Sequence, residues 1–571
     1  MFLNNNFQRI SIFDRFKNLP QYQKDMLLNS WAHKFQEIIF PAINENRFSV
    51  LYSDKASRPN SPVNVIIGAL ILKEIFQLSD AQLLESIFFD ERFQYALRLT
   101  SKDRPPVSYN TFTNFRNRNY THERSTGIDL IKEEVESLAQ LIAEHLNIDG
   151  KKVRMDSFMV ASSCKNLSRI ELVYTVNYQF VKMLSKSYNE LIPEDCRCYL
   201  EKGNKNDTIY RTKDNESETK LELLLKQSKS LYDTGVDAGK KVTESDEFKT
   251  LKRMLGEQTK DDNNFDVIEP KDNKNVSPDS LQNPSDPDAT YRKKYGDNVG
   301  YTANVTESFD EDNSVITSYD LQPNTYSDEQ FSEDTIEKLG NNNADEQNNE
   351  NHTLNTENKN QQKSNCTTLN IDENLIHASE NKDNNGLIQI FIDGAYYSFA
   401  LARKAISMGI LLIPGELTGR KPAKDKMGYN QFEIDEQIQE VTECANGKKP
   451  VESNFNEETD TYTAKFDKND CSNCPFSSSC RIQEQVKFNS VRFTEQRYAT
   501  DKLRELMKTD EYIKLTNQRA AIEGVPSVFR RKYNVDHMPV RGLVRSKFWF
   551  GLKVAASNVK KLFKGLKLAG I

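Results

Sequence analysis

Two short apolar segments constrain the fold of this chain more than any other feature of its sequence. Leu387 to Asp393 and Ile410 to Pro414 are largely apolar but too short for buried helices, which favours two buried strands. Tyr396 to Ser407, between them, has helical character. A strand, a helix and a second strand in this order are typical of a sheet whose two faces are both covered. The sequence therefore predicts an α/β fold.

More strands are predicted before this pair. Val153 to Val160 is a strand candidate. Gly300 to Val305 and Ser314 to Tyr319 are rich in β-forming residues, and Asp310 to Asn313 supplies a turn between them. We expect these two segments to form an antiparallel hairpin, which would make the sheet mixed.

The first 150 residues are predicted to be helical. Ser61 and Pro62 indicate the start of one helix, and Ser79 with Gln82 offers a capping box for the next. A further helix is predicted from Ser108 to Arg118. Periodicity leaves two interpretations open: a helix-turn-helix module that binds DNA, or a plain helical bundle used for dimerisation.

Charge is unevenly distributed along the chain. The formal net charge is -7, yet residues 530–567 contain eleven Lys or Arg and one acid, Asp536. Such asymmetry suggests a basic nucleic-acid surface. Aromatic residues lie among these charges and could stack on exposed bases, whereas the alternative is a solvated helix with an apolar core face. These aromatic residues are Phe529, Tyr533, Phe548, Trp549 and Phe550.

Residues 340–385 contain fifteen asparagines and almost no aromatic residues. This composition buries too little apolar surface to offset the entropy lost on ordering. We predict a disordered insertion.

No feature of the sequence predicts a membrane or secreted protein. The longest apolar run, Val65 to Leu72, is far shorter than the roughly 20 residues that span a bilayer. The N-terminus carries no visible secretory signal, so we expect a cytoplasmic protein. Eight cysteines are too few for a disulfide scaffold, and a tight cluster of them is more typical of a metal site in a reducing compartment.

Four cysteines are candidate metal ligands. Cys471 and Cys474 form a Cys-x-x-Cys knuckle, with Cys480 after it and Cys444 before it. Four thiolates complete the tetrahedral shell of a structural zinc, so one Zn²⁺ is predicted here. The alternative is that all four are ordinary free thiols.

Three acids are candidates for a second metal site. Asp156 and Asp393 lie on or at the end of predicted buried strands, where an unpaired carboxylate is costly. Either aspartate could simply form a turn or cap a helix. Alternatively, neighbouring strands direct both carboxylates at one point, where divalent cations relieve their repulsion. Glu523 is the candidate third acid, four residues after Arg519 on one helical face, although this pair alone could be a surface salt bridge.

These residues carry a family resemblance. Four groups of them together resemble the DDE transposases of bacterial insertion sequences: Arg154 to Ser162, Leu167 to Arg169, Asp393 to Ser398, and Arg519 with Glu523. The helical segment from Pro62 to Arg118 is similar to the domain that precedes the catalytic core in that family. The resemblance implies an RNase H-like core in which Asp156, Asp393 and Glu523 form a carboxylate triad that binds two Mg²⁺ or Mn²⁺ ions. It also implies cleavage of DNA strands and their transfer to target DNA.

We expect the partner to be double-stranded DNA, comprising the terminal inverted repeats of a transposon and its target, bound by a homodimer or higher oligomer in the bacterial cytoplasm. The predicted DNA contacts are Arg116, Arg118, Arg519, Arg530, Arg531, Lys532, Arg541 and Lys547. Two other functions remain open. One is a catalytically decayed or repurposed DNA-binding protein of the same fold, and the other is a zinc-dependent interaction protein that uses the α/β segment as a scaffold.

The chain is too long for one hydrophobic core, and several folding units are expected. The predicted division is a helical N-terminal DNA-binding or dimerisation domain at 1–150; a first part of the core at 151–339, with a helical insertion at about 165–285; the disordered insertion at 340–385; a second part of the core at 386–430; a cysteine-cluster insertion at 431–495; and the glutamate helix with the basic region at 496–571.

Overall fold

The structure is a computed structural model of the chain. It describes residues 1–5, 14–53, 55, 58–99, 107–210, 216–260, 265, 268–294, 296–353, 371–379, 386–419, 421, 423, 425–435 and 438–568.

The chain divides into two compact units. The first unit comprises Met1–Ile148, Ser157–Ser327 and Val525–Ile571, and the second comprises Asp149–Asp156 and Asp328–Gly524. Both units are therefore assembled from segments that are distant in sequence. The finer domain boundaries drawn from the sequence stay a prediction.

The first unit begins with helices, as predicted. Their bounds are α1 Gln21–Leu28, α2 Trp31–Lys34, α3 Phe40–Ala42, α4 Val63–Phe76, α5 Asp80–Phe89, α6 Glu91–Ala96, α7 Tyr109–Thr126 and α8 Leu130–His145. The capping box of Ser79 and Gln82 at the start of α5 is confirmed. At α4 the helix starts as predicted, but Ser61 does not cap it. The carboxylate of Glu45 accepts from the N–H groups of Val63 and Asn64 instead, at 3.0 and 3.4 Å.

The middle of the first unit contains strands and a helical insertion. Strand β1 is Lys152–Ala161, and its last five residues belong to this unit. Four helices follow: α9 Arg169–Ser187, α10 Ser217–Asp237, α11 Lys240–Thr243 and α12 Asp246–Gln258. Strands β2 Thr290–Lys293, β3 Asp297–Phe309 and β4 Ser314–Pro323 pair antiparallel, so the predicted hairpin is confirmed.

The C-terminal helix is a core element of the first unit. After α19 (Gly524–Tyr533), helix α20 (Leu543–Leu568) packs against α4, α8 and β4. Two hydrogen bonds join Asn558 to the main chain of Ile316 in β4, at 3.0 and 2.8 Å. Gly551 permits this close approach, because a Cβ there would meet the hydroxyl of Tyr319 at 2.1 Å.

This packing corrects one reading of the basic C-terminal segment. Phe529, Tyr533, Phe548 and Phe550 are buried in the core, so these rings are not available to stack on bases. Lys553 of α20 is also buried, and it forms a 2.8 Å ion pair with the buried carboxylate of Glu74. Apolar and aromatic residues interleaved with lysines here mark a helix whose apolar faces are enclosed.

The second unit contains the parallel part of the sheet. The first half of β1 pairs in parallel with β5 (Ile388–Ile392), and β5 pairs in parallel with β6 (Ile410–Pro414). The helices of this unit are α13 Asp328–Thr353, α14 Ile371–Ser379, α15 Phe399–Ser407, α16 Lys468–Ser472, α17 Glu495–Leu506 and α18 Asp510–Thr516, and a 3-10 helix at Asn517–Glu523 follows α18.

Two smaller sheets surround the cysteine cluster. Strands β7 (Glu433–Asp435) and β8 (Glu440–Glu443) form one of them. The other has the order β11-β12-β10-β9, formed by Gln483–Glu484, Asn489–Thr494, Thr461–Phe466 and Glu452–Asn456 respectively. Their apolar side chains enclose a small core of their own, which includes Phe432, Val441 and Phe493.

The predicted disordered insertion at 340–385 is wrong in part. Helix α13 continues to Thr353, and α14 lies wholly inside the segment. Asn374, Leu375 and Ala378 of α14 are buried. The high asparagine content led us to overlook a short amphipathic helix. A few apolar residues at helical spacing are enough to stabilise such a helix when a neighbouring surface covers them. Residues 354–370 and 380–385 of the segment lie outside the described residues.

The sheet contains both antiparallel and parallel ladders, and helices accompany it, so the α/β class is confirmed. The RNase H-like topology stays a prediction. Within the ranges that the structure describes, no helix combines the length and apolar character needed to cross a bilayer.

The buried face of α14 can be tested with two neighbouring apolar residues. We expect Leu375→Ala to lower the free energy of unfolding of the second unit by about 2–5 kcal/mol, because Leu375 is fully buried and its truncation leaves a cavity. The matched control is Ile376→Ala, since Ile376 is 41% exposed and should change stability by no more than about 0.5 kcal/mol. Urea unfolding of both variants measures the difference. Equal effects would mean that α14 does not pack as described.

Candidate active site

Two of the three predicted acids are associated with neighbouring parallel strands: Asp156 lies within β1, and Asp393 directly follows β5. Arg154 of β1 is the register partner of Phe391 of β5. Continuing the same register by two residues brings Asp156 level with Asp393, and the two-residue period of a strand places both side chains on one face. Because neighbouring strands are about 4.8 Å apart, this extension beyond the last paired residues predicts that the two carboxylates are close together.

The residue after Asp393 is fixed by a close backbone contact. Asp393 caps a short 3-10 turn, Gly394–Tyr396, and its carboxylate accepts from the Gly394 N–H at 2.7 Å. A Cβ on Gly394 would lie 2.6 Å from the carbonyl oxygen of Glu416, which follows β6. Only glycine fits here, and the Asp393-Gly394 pair is therefore required by the geometry of the turn.

Glu523, the third predicted acid, is linked to Asp156 through an arginine. Both residues of the predicted helical pair lie on the 3-10 helix Asn517–Glu523. The guanidinium of Arg519 is 3.2 Å from the Glu523 carboxylate and 3.7 Å from the Asp156 carboxylate. Asp156 and Arg519 are both largely enclosed, whereas the Glu523 side chain is 65% exposed. The three acids thus belong to one region of the second unit, with Arg519 as a counter-charge.

The donor chemistry of this region fits a hard divalent cation, because carboxylate oxygens are the ligands that such ions prefer. Among the described residues, however, no three His, Cys, Asp or Glu side chains lie close enough to form a metal site. Arg519 neutralises Asp156 and Glu523 in this structure, and a cation would have to share these carboxylates with its guanidinium.

The four predicted zinc ligands line one small cavity of about 30 Å³. Burial raises the pKa of the Cys471 thiol and of the Cys480 thiol, and negative charge on Cys444 and Cys474 raises the pKa of both further. The shared cavity places the four cysteine side chains around one small space. Four thiol groups are suitable zinc ligands. Like the three acids, however, they are not arranged as a metal site in the part of the chain that the structure describes.

Several predicted DNA contacts are engaged by the protein's own side chains. Arg116 donates from both terminal nitrogens to Asp80, at 2.6 and 2.9 Å, which fastens α7 to α5. Lys547 lies near Glu123 and Asp129. Burial and the Asp129 charge raise the pKa of Glu123 to about 8, and Lys547 acts in the opposite direction. The paired hydrogen bonds to Asp80 therefore favour a structural role for Arg116.

Other predicted contacts are more accessible. Arg118 is exposed, with its guanidinium 4.8 Å from the centre of the Tyr52 ring. Arg530 pairs with Asp536 at 3.3 Å, and Arg541 donates to Ser163. Arg531 and Lys532 are exposed, and the described residues include no acid in contact with either side chain.

The sequence analysis missed the role of Arg154 in the geometry of this site. Arg154 is buried on β1, and its Nη1 donates to the main-chain oxygen of Gln518 at 3.1 Å. The sequence did contain a signal for this role. Side chains alternate between the two faces of a strand, so Arg154 and Asp156, two residues apart, were expected to share a face.

Comparisons with known proteins match two parts of the chain. Residues 25–118 match a model described as Transposase domain (DUF772), and residues 443–563 match one described as Transposase DDE domain. The second match contains Glu523 and the four clustered cysteines, whereas Asp156 and Asp393 lie outside both. Searches of curated proteins and of solved structures give no significant match. Two transposase family models matched on one chain support its recognition as an insertion-sequence DDE transposase.

Proposed function

We propose that the protein binds the DNA ends of its transposon, cuts a strand at each end and joins the freed 3′ hydroxyl to target DNA. The observation that supports this proposal is the parallel register of β1 and β5, which, extended two residues beyond the Arg154–Phe391 pair, predicts that Asp156 is level with Asp393. Two neighbouring carboxylates repel one another, so their proximity is costly unless the site has a use for concentrated negative charge. Cation-dependent phosphoryl transfer is such a use.

In the proposed mechanism, water attacks the scissile phosphorus in line and the 3′ oxygen leaves. In the second step the 3′ hydroxyl attacks a phosphate of the target, so that one phosphodiester replaces another and no covalent enzyme intermediate forms. Asp156, Asp393 and Glu523 would hold two Mg²⁺ or Mn²⁺ ions, which supply charge stabilisation at the attacking and leaving oxygens.

The remaining groups bind and orient the DNA. Arg519, which contacts the carboxylates of Asp156 and Glu523, would also be placed to donate its guanidinium N–H groups to a phosphate bound at these acids. Arg531 and Lys532 provide positive charge on α19 without an acid in contact among the described residues. The N-terminal helices carry sequence preference in this proposal, with exposed Arg118 as a contact.

Removal of single carboxylate charges tests the site. We expect Asp156→Asn, Asp393→Asn and Glu523→Gln each to reduce strand cleavage by about 1,000-fold or more, since several kcal/mol of transition-state stabilisation is lost. Binding to transposon-end DNA should stay near wild type, because no phosphate contact is removed. Cleavage and gel-shift assays on the terminal repeats measure both effects.

The control for the glutamate is Glu505→Gln, because Glu505 lies on α17 and pairs with Lys508. It should cleave normally. Normal cleavage by Glu523→Gln would remove Glu523 from the site, and loss of DNA binding in both aspartate variants would indicate a structural role for these residues.

We also propose that Cys444, Cys471, Cys474 and Cys480 bind one structural Zn²⁺. Cys474→Ser should lower the zinc content from about one ion per chain and reduce thermal stability before it affects cleavage, because a closed thiolate shell stabilises and does not catalyse. Elemental analysis of purified protein measures the metal. Cys164→Ser is the control, since Cys164 lies outside the cluster. Full zinc occupancy in Cys474→Ser protein would exclude Cys474 as a ligand.

The charges on α19 can be tested through salt dependence. Replacing Arg531 and Lys532 together with alanine should weaken binding to any DNA sequence and flatten the plot of log affinity against log salt by about 1.8, at about 0.9 per lost phosphate contact. The double variant Lys241→Ala/Lys249→Ala removes two exposed lysines of the helical insertion and should leave the slope unchanged. An unchanged slope in the α19 variant would move the DNA path away from this helix.

A further inference from the structure

A buried arginine connects the strand of the first acid to the 3-10 helix of the third. Arg154 lies on β1, two residues before Asp156, and only 7% of its surface is exposed. A buried guanidinium needs hydrogen-bond acceptors, and one of those that Arg154 finds is the main-chain oxygen of Gln518 at 3.1 Å. The role of this residue is not explained by cation binding or by DNA contact.

The contact lies directly next to the residues of the candidate site. Gln518 precedes Arg519, whose guanidinium reaches Asp156 and Glu523. The 3-10 helix is therefore attached to one face of β1 at two successive positions: its main chain to Arg154 and its Arg519 side chain to Asp156. Lys152 adds a longer contact, at 3.4 Å, to the side-chain oxygen of Gln518.

We propose that Arg154 is a positioning residue that holds the segment of Glu523 against Asp156. This inference rests on the proposed function, since it concerns the same carboxylate site. The Arg519 link depends on the charges of Asp156 and Glu523, so a cation bound by these carboxylates would weaken it. The Arg154 bond to a main-chain oxygen does not involve these carboxylates, so it retains the 3-10 helix in place when the Arg519 link is lost.

The chemistry of arginine suits this position better than that of lysine. A guanidinium is planar and presents five N–H donors in fixed directions, whereas an ammonium is a flexible and strongly hydrated point charge. Its burial also separates Arg154 from the arginines proposed to bind phosphate, because a DNA contact requires an accessible guanidinium.

The test measures Mn²⁺ affinity of the full-length protein without DNA, by electron paramagnetic resonance. We expect Arg154→Met to weaken Mn²⁺ binding by about 10- to 100-fold, the usual effect of removing a group that orients metal ligands. Amide hydrogen exchange of residues 517–523 should become faster in the same variant. DNA affinity without metal should change by less than about twofold.

Three further variants make the result specific. Gln518→Ala keeps the main-chain oxygen and loses only the Lys152 contact, so it should bind Mn²⁺ within about twofold of wild type. Arg154→Lys keeps the charge but not the fork of donors, and should show a smaller loss than Arg154→Met. Asp156→Asn removes a proposed ligand and should abolish tight binding.

The outcomes separate this inference from the function on which it rests. Normal Mn²⁺ binding by Asp156→Asn would overturn the proposed metal site itself. Loss of binding by Asp156→Asn together with normal binding by Arg154→Met would overturn only the positioning role. A loss of DNA affinity with normal Mn²⁺ affinity would make Arg154 a DNA contact instead. If Arg154→Met does not fold, Arg154→Lys decides, and Mn²⁺ binding and hydrogen exchange equal to wild type would overturn the proposal.

Discussion

The parallel ladder between β1 and β5 is the interaction on which the candidate site depends. It joins strands more than 200 residues apart in sequence, and its register, extended by two residues, predicts that Asp156 is level with Asp393. A slip of one residue would turn one carboxylate to the opposite face of the sheet. The apolar run of β5 is buried, which opposes such a slip, while the Gly394 contact with the Glu416 carbonyl fixes the chain directly after the second acid.

Many of the basic residues in this protein take part in its internal packing. Buried Lys553 and partly buried Lys561 of α20 are paired with the buried acids Glu74 and Glu307, and Arg116 is paired with Asp80. Because a buried ion without a partner is strongly destabilising, each of these pairs fixes the contact between two elements. A segment rich in basic residues can therefore contain both lysines or arginines paired inside the protein and charges exposed on its surface. The burial of each side chain is needed to tell the two apart.

Elements that depend on interactions between residues close in sequence were predicted correctly. The capping box at Ser79, the hairpin turn at Asp310 to Asn313 and the short apolar strand β5 all depend on neighbouring residues, and the structure contains each. The errors concern long-range packing. The burial of Phe550 is due to elements that lie hundreds of residues earlier, and α14 is ordered by a surface that its own composition does not reveal. The two aspartates were predictable as residues on or at the end of strands, whereas the Arg154 contact with Gln518 depends on tertiary structure.

The position of α20 has a consequence for biosynthesis. This helix covers α4, α8 and β4, all of which emerge from the ribosome long before it does. Until residues 543–568 appear, the apolar surface of α4 and the Glu74 carboxylate have no cover and no counter-ion from this helix. Domains usually fold as units during synthesis, and the first unit therefore waits for its final helix. We expect the nascent chain to depend on chaperones over this interval, and ribosome stalling before residue 543 to leave it sensitive to proteases.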